Sequence, residues 1–175
     1  MEINRVWAMP NSNTFEIKPI GDLIRKHISG YSIDMFANSN KYATETNDIN
    51  DEFDTDFHLD ALEYLKIKND FSIDTILFDP PYSPRQVSEC YKKLDMTVNM
   101  KTTQASFWSN LKIEIGRITK PSGKVITCGW NSGGIGKKYG FEIIEILLVP
   151  HGGWHNDTIV TVERRINNTL DAFTG

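Results

Sequence analysis

The chain has few cysteines, no long apolar run and no excess of positive charge, and each absence excludes a class of protein. Two cysteines among 175 residues, Cys90 and Cys128, are too few for a disulfide framework. Their separation matches no metal-site spacing, so a reducing cytoplasm is expected and no metal. No segment is long and apolar enough to span a bilayer, and no charged-then-apolar start marks a secretory leader. The net charge is −4, whereas a protein that grips nucleic acid through phosphates alone carries a basic excess. No repeat, low-complexity tract or linker divides the chain. One domain over residues 1–175, with no separate recognition domain, is therefore expected, and its length suffices for a sizeable core.

Charge is present but uneven. From Glu45 to Asp60 there are seven carboxylates and no lysine or arginine, while the basic residues are scattered through the later chain. Periodicity predicts helices over Pro19–Ser29, Ala61–Lys66, Ser83–Leu94 and Thr103–Thr119. The stripe Phe107, Leu111, Ile115 and Ile118 on the last reads as core. Strands are predicted at Tyr31–Phe36, Tyr42–Ile49, Thr55–His58, Ile73–Phe78, Lys124–Thr127, Phe141–Val149 and Thr158–Arg165, with a turn at Pro121-Ser122-Gly123. Strands alternating with helices imply an α/β sheet of mostly parallel order. The last two strands have no helix between them and read as an antiparallel hairpin. In such sheets ligands bind beyond the carboxyl ends of the strands.

The most informative segment lies at one of those ends. Asp79-Pro80-Pro81-Tyr82 directly follows the apolar run Ile73–Phe78. Proline cannot donate to a ladder and fixes its own φ, so the strand must stop in a stiff turn. That turn offers a carboxylate, backbone carbonyls and an aromatic ring, which together suit an exocyclic amino group on a planar ring. Polar and aromatic residues also follow other strands, at Phe36–Asn40, Asp48–Asn50, Asp60-Ala61, Trp130-Asn131 and His151–Asn156.

Together these segments resemble the S-adenosylmethionine-dependent amino-methyltransferases of DNA, of the adenine-N6 type, and the small phage-encoded enzymes above all. Asp79, Pro80, Pro81 and Tyr82 match that family's catalytic motif. Asp34-Met35-Phe36-Ala37-Asn38 is similar to its Asp-Pro-Phe-Ala-Gly cofactor loop, with Met35 in place of proline and Asn38 in place of glycine. Asn tolerates the left-handed backbone that such a loop needs. Ile17-Lys18-Pro19 resembles the segment that helps hold the methionine end of the cofactor. Asp48 stands where the family places an acidic residue on the ribose, and Asp60-Ala61 where it flanks the adenine. Few residues follow Asn38 before the next predicted strand, so the usual intervening helix is shortened or absent.

The resemblance implies a class I, Rossmann-like methyltransferase sheet with a C-terminal hairpin and helices on both faces. It implies S-adenosyl-L-methionine as cofactor and DNA as partner, in a bacterial or phage-infected cytoplasm. Asp79 and the Pro80 carbonyl would each accept an N–H of the adenine amino group, orienting its lone pair at the methyl. The base would be flipped out or taken from a single strand, with Tyr82 stacking on it. Ser83, Trp130, Asn131, Trp154 and His155 are further candidates for substrate contact. A homodimer or partner subunit is one way for a small acidic domain to hold DNA. The same motif also serves cytosine-N4, RNA and protein-glutamine methylation, and a non-catalytic cofactor-binding subunit is the rival of a different class.

Overall fold

The computed structural model describes residues 1–81 and 105–166. The predicted helix Ser83–Leu94, and with it Tyr82 and Ser83, lies outside the described residues. Among the described residues seven strands form one sheet: β1 (Glu2–Arg5), β2 (Ser32–Asp34), β3 (Glu45–Thr46), β4 (Ile73–Phe78), β5 (Thr119–Gly129), β6 (Phe141–Val149) and β7 (Thr158–Arg165). Their spatial order is β1-β6-β7-β5-β4-β2-β3. Strands β3, β2, β4 and β5 run parallel, β7 runs antiparallel to both β5 and β6, and β1 is parallel to β6.

Helices cover both faces. Helix α1 (Lys18–His27) has Ile20, Leu23 and Ile24 at the i, i+3, i+4 spacing, which makes one apolar stripe. That stripe packs on Leu77, Ile126, Cys128, Val160 and Val162. Each fully buried aliphatic contributes roughly 1.5–3 kcal/mol. Pro19 sits in the first turn, where no amide partner is lost, and Ile28 ends the helix in extended conformation, two residues short of the predicted limit. Gly21 is required by close approach: a Cβ there would lie 2.7 Å from the Tyr42 hydroxyl and 2.9 Å from the Phe15 carbonyl. On the opposite face, α2 (Ala61–Lys66) and α3 (Ala105–Ile118) pack Tyr64, Leu65, Leu111, Ile115 and Ile118 against Ile33, Ile76, Phe78 and Val125.

Four expectations need correction. The strand predicted over Tyr42–Ile49 is only the two residues Glu45–Thr46, and Thr55–His58 contributes a single bridge, Asn47 to Phe57. Here side chains compete with the ladder. Asp48 Oδ1 accepts from the Asn50 amide at 2.9 Å, Asn50 Oδ1 from Glu52 at 3.1 Å, and Asp56 Oδ2 from Thr46 at 2.8 Å. Strand β5 begins at Thr119 rather than Lys124. Its register jumps from Ile73↔Thr119 to Thr75↔Lys124, and the expected turn residues bulge, with Ser122 at φ 63°. Finally, β1 has no counterpart among the predicted strands. No helix lies between β2 and β3, as the spacing implied.

Candidate active site

Parallel register places several candidate segments on one edge. Strands β2 and β4 end together, with Asp34 opposite Leu77. Beside them Phe78 faces Thr127 on β5, and Gly129 faces Ile159 on β7. Because β6 is antiparallel to β7, with Val149 opposite Thr158, the 150–157 loop hangs over the same edge.

The β2 end is a tightly stitched loop. Asn38 adopts φ 48°, the left-handed conformation that its glycine-like position demands, and its amide donates to Asp48 Oδ2 at 2.9 Å. Both oxygens of Asp48 thus already accept backbone amides, so this residue fixes the loop whatever else it contacts. Asn47 was not singled out from the sequence, yet it is fully buried and ties three segments together. Its side-chain amide donates to the Met35 and Leu59 carbonyls at 3.2 and 3.0 Å, and its Oδ1 accepts from the Leu59 amide at 2.9 Å. Asp60 caps α2 by accepting from the Leu62 amide at 3.0 Å, with Ala61 buried behind it. Met35 and Ala37 are buried, and the Phe36 ring lies 6.0 Å from that of Phe78. Ile17 is buried at the start of α1, whereas Lys18 points outward and pairs with Asp22 at 2.6 Å.

Asp34 is the anomaly of the site. It is fully buried, and Oδ1 accepts from the Phe36 amide at 3.1 Å while Oδ2 has no hydrogen-bond partner. A buried polar atom without a partner is costly and calls for a reason. Burial pushes the carboxyl up to about 8; the Phe36 amide opposes this, and the charges of Asp79 and Asp48 push further upward. Three carboxylates therefore converge on one edge, a setting that favours a cationic ligand.

Beyond β4, Pro80 is buried and Asp79 and Pro81 are half-buried. Pro80 and Pro81 line a cleft of about 230 Å3 together with Trp108, Lys112, Trp130 and Asn131. The Thr127 hydroxyl, without a hydrogen-bond partner, and Cys128 lie along it too. Burial, then the charges of Asp79 and Asp34, raise the Cys128 thiol well above its ordinary value, so it remains neutral. Trp130 and Asn131, at the end of β5, both line this cleft. Trp154 and His155 share the edge but are exposed and do not line this cleft. His151 is buried, with Nδ1 2.9 Å from the Ala8 carbonyl oxygen and Nε2 2.9 Å from the Thr158 hydroxyl, which makes it a packing residue. Trp108 and Lys112 were missed. The available signal was their i, i+4 spacing beside the core stripe of α3, which puts an aromatic and a cation on one helix flank.

A further residue not foreseen from the sequence organises the cleft wall. Glu163, buried in β7, accepts the amides of Ile135 and Gly136 at 2.6 and 2.8 Å. Gly134, at φ 51°, packs so closely that a Cβ would lie 2.3 Å from the Glu163 carboxylate, and Lys112 donates to its carbonyl.

No protein-family model matches this chain, and no curated protein matches it. Solved structures do. The 1,6-didemethyltoxoflavin-N1-methyltransferase of Burkholderia thailandensis, solved with 1,6-didemethyltoxoflavin and S-adenosylhomocysteine, gives a TM-score of 0.51 at 9% identity, over 78% of this chain and 71% of its own. TrmN of Thermus thermophilus gives 0.54 at 13% identity, over 86% and 49%. SMU.776, solved with S-adenosylhomocysteine, gives 0.56 at 11% identity, over 84% and 48%. The fold is that of the class I methyltransferases. This chain spans about half the length of TrmN and of SMU.776. As a general rule, ligands of parallel sheets bind beyond the carboxyl ends of the strands, and Asp34, Asp48 and Asp79 lie at that edge here.

Proposed function

We propose that the chain transfers a methyl group from S-adenosylmethionine to the N6 amino group of adenine in DNA. The observation that carries this reading is the juxtaposition of Asp79-Pro80, directly after β4, with Asp34, ending the neighbouring β2. S-adenosylmethionine carries an ammonium and a sulfonium, and an edge bearing three carboxylates suits both charges. Asp34 Oδ2 is the fitting acceptor for the ammonium. Asn38 and Ala37 present the loop backbone, Asp48 fixes that loop and retains lone pairs for a ribose hydroxyl, and Asp60-Ala61 flank the adenine end. The cofactor supplies an electrophilic methyl. The chain's own residues do the rest by orientation.

The target nitrogen is a weak nucleophile because its lone pair is delocalised. Acceptance of its two hydrogens by the Asp79 carboxylate and the Pro80 carbonyl would localise that pair toward the methyl and stabilise the developing positive charge. The cleft beside Pro80 and Pro81 is lined by Trp108 and Trp130, whose apolar rings suit contact with a planar base. Tyr82, next in the chain, would supply a stacking face.

The test is incubation of genomic DNA with methyl-labelled cofactor, followed by nucleoside mass spectrometry. N6-methyladenine is expected. Asp79→Asn should lower kcat on the order of 100- to 1000-fold, a larger effect than the weakening of cofactor binding that follows from losing one of the three carboxylates. N4-methylcytosine or labelled protein would reassign the acceptor. Failure to bind the cofactor in calorimetry would favour a non-catalytic subunit.

A further inference from the structure

Three of the four tryptophans are exposed, and all three lie along the edge that carries the cleft. Trp130 follows β5, lines the cleft and is 43% exposed. Trp154, in the β6–β7 loop, is fully exposed. Trp7 is 60% exposed and continues from β1 beside that loop: the amides of Val6 and Ala8 donate to the carbonyls of Leu148 and Pro150, and a Cβ on Gly152 would lie 3.5 Å from Trp7 Nε1. A single exposed indole needs no explanation, whereas three along one edge of a sheet form a grouped apolar surface of the kind that marks a contact.

The order of strands gives the indoles a direction. From Asp79, just after β4, the columns run β5, β7, β6, β1, so Trp130, Trp154 and Trp7 succeed one another across three strand spacings of roughly 4.8 Å, on the order of 15 Å. The seven carboxylates of residues 45–60 lie in the other direction, around β3, so an anionic chain leaving the cleft is steered toward the tryptophans. Arg5, ending β1, is exposed beside Trp7. A net charge of −4 disfavours a grip made mainly of phosphate contacts, whereas base stacking needs no net positive charge.

We propose that Trp130, Trp154 and Trp7 form a stacking track for an unpaired nucleic-acid strand, which leaves the acceptor cleft and runs to the β1 edge. The inference rests on the proposed reading of the cleft, and it names the substrate of that site as single-stranded. Unstacked bases present their faces to exposed indoles, while a duplex keeps those faces covered.

The experiment is binding of an end-labelled single-stranded oligodeoxynucleotide, followed by anisotropy, with the same sequence as duplex for comparison. Preference for the single strand is expected, with a salt dependence equivalent to about one or two phosphate contacts. Trp7→Ala and Trp154→Ala should each weaken binding about 5- to 150-fold, the range for loss of one stacked base. The effect of Trp7→Ala should shrink as the strand is shortened to a trinucleotide, and Trp7→Tyr should restore most of the affinity. Both side chains are exposed, so the variants should keep the wild-type melting temperature. Unchanged single-strand affinity in both variants overturns the track. So does an oligomer, seen by sedimentation, that dissolves on either substitution while strand affinity stays the same, since that assigns the indoles to a protein contact. Strand binding retained in a protein that methylates no adenine supports the track and counts against the catalytic reading alone.

Discussion

At the scale of single residues, Asp34 carries the most information. A buried carboxyl with one unpartnered oxygen is held neutral around neutral pH by burial, and it pairs with a cation only by giving up its proton. Its value of about 8 in the folded protein lies above the ordinary 3.8. The folded state thus holds a proton that the unfolded state releases, and the associated stability is whole at low pH and lost as pH rises from about 4 to about 8. Asp34→Asn should abolish that loss, so the variant gains melting temperature relative to wild type at the alkaline end. The same substitution should weaken S-adenosylmethionine binding on the order of 10- to 100-fold in calorimetry, as expected for a hydrogen bond to a charged group. A stability that does not decline with pH, or an affinity left intact, would remove Asp34 from this role. Asn38 makes a backbone argument of the same size. At φ 48° it should accept Asn38→Gly with little effect, whereas Asn38→Val places a β-branched residue in a left-handed conformation, costs about 1–2 kcal/mol and loosens the cofactor loop.

At the scale of elements, what was legible in the sequence followed from strong local signals. Strands β4, β6 and β7 and helix α2 occupy their predicted ranges because their apolar runs are bounded by Asp-Pro-Pro, by glycine, or by the Asp60 cap. Strand β3 was over-read because its Asp, Asn and Thr side chains bond to nearby amides in place of a ladder, and alternation of residue types does not reveal that competition. The loop after β5 shows the opposite failure. Its shape depends on Glu163, some thirty residues later, whose carboxylate holds two amides although burial, the larger effect, raises its affinity for a proton. Glu163→Ala should leave both amides unpartnered, lower stability by about 1–3 kcal/mol in urea unfolding and raise the acceptor KM more than it lowers kcat. Equal losses in kcat and kcat/KM would place Glu163 in the chemistry rather than in the cleft wall.

At the scale of the whole molecule, the sheet order decides both shape and function. Strand β1 joins the edge through β6, and buried Glu145 ties it to α1: Lys26 Nζ donates at 2.8 Å, His27 Nε2 lies at 2.6 Å, and Asn4 Nδ2 donates at 3.2 Å. Burial pulls the Glu145 carboxyl upward, but Lys26 and His27 outweigh it and hold the group below its ordinary 4.5. A depressed carboxyl contributes stability that is present above the ordinary value and lost as pH falls. Melting temperature should therefore drop below about pH 4.5, and Glu145→Gln should flatten that drop while lowering stability at neutral pH. A variant as acid-sensitive as the wild type would show that other groups dominate. Among the described residues no helix is long and apolar enough to cross a membrane.

The sequence alone determined the α/β alternation, the C-terminal hairpin and the stop of β4 at Asp79-Pro80-Pro81. Each of these is written in residues adjacent along the chain, through periodicity or proline geometry. Tertiary structure decided what lies beside what. It brought Asp34, Asp48 and Asp79 to one edge, buried one oxygen of Asp34 without a partner, added Trp108 and Lys112 to the cleft, and aligned Trp130, Trp154 and Trp7. Those relations arise from strand order and register, which join residues that local signals cannot relate. The desolvation that gives Asp34 its character exists only once the sheet has closed around it.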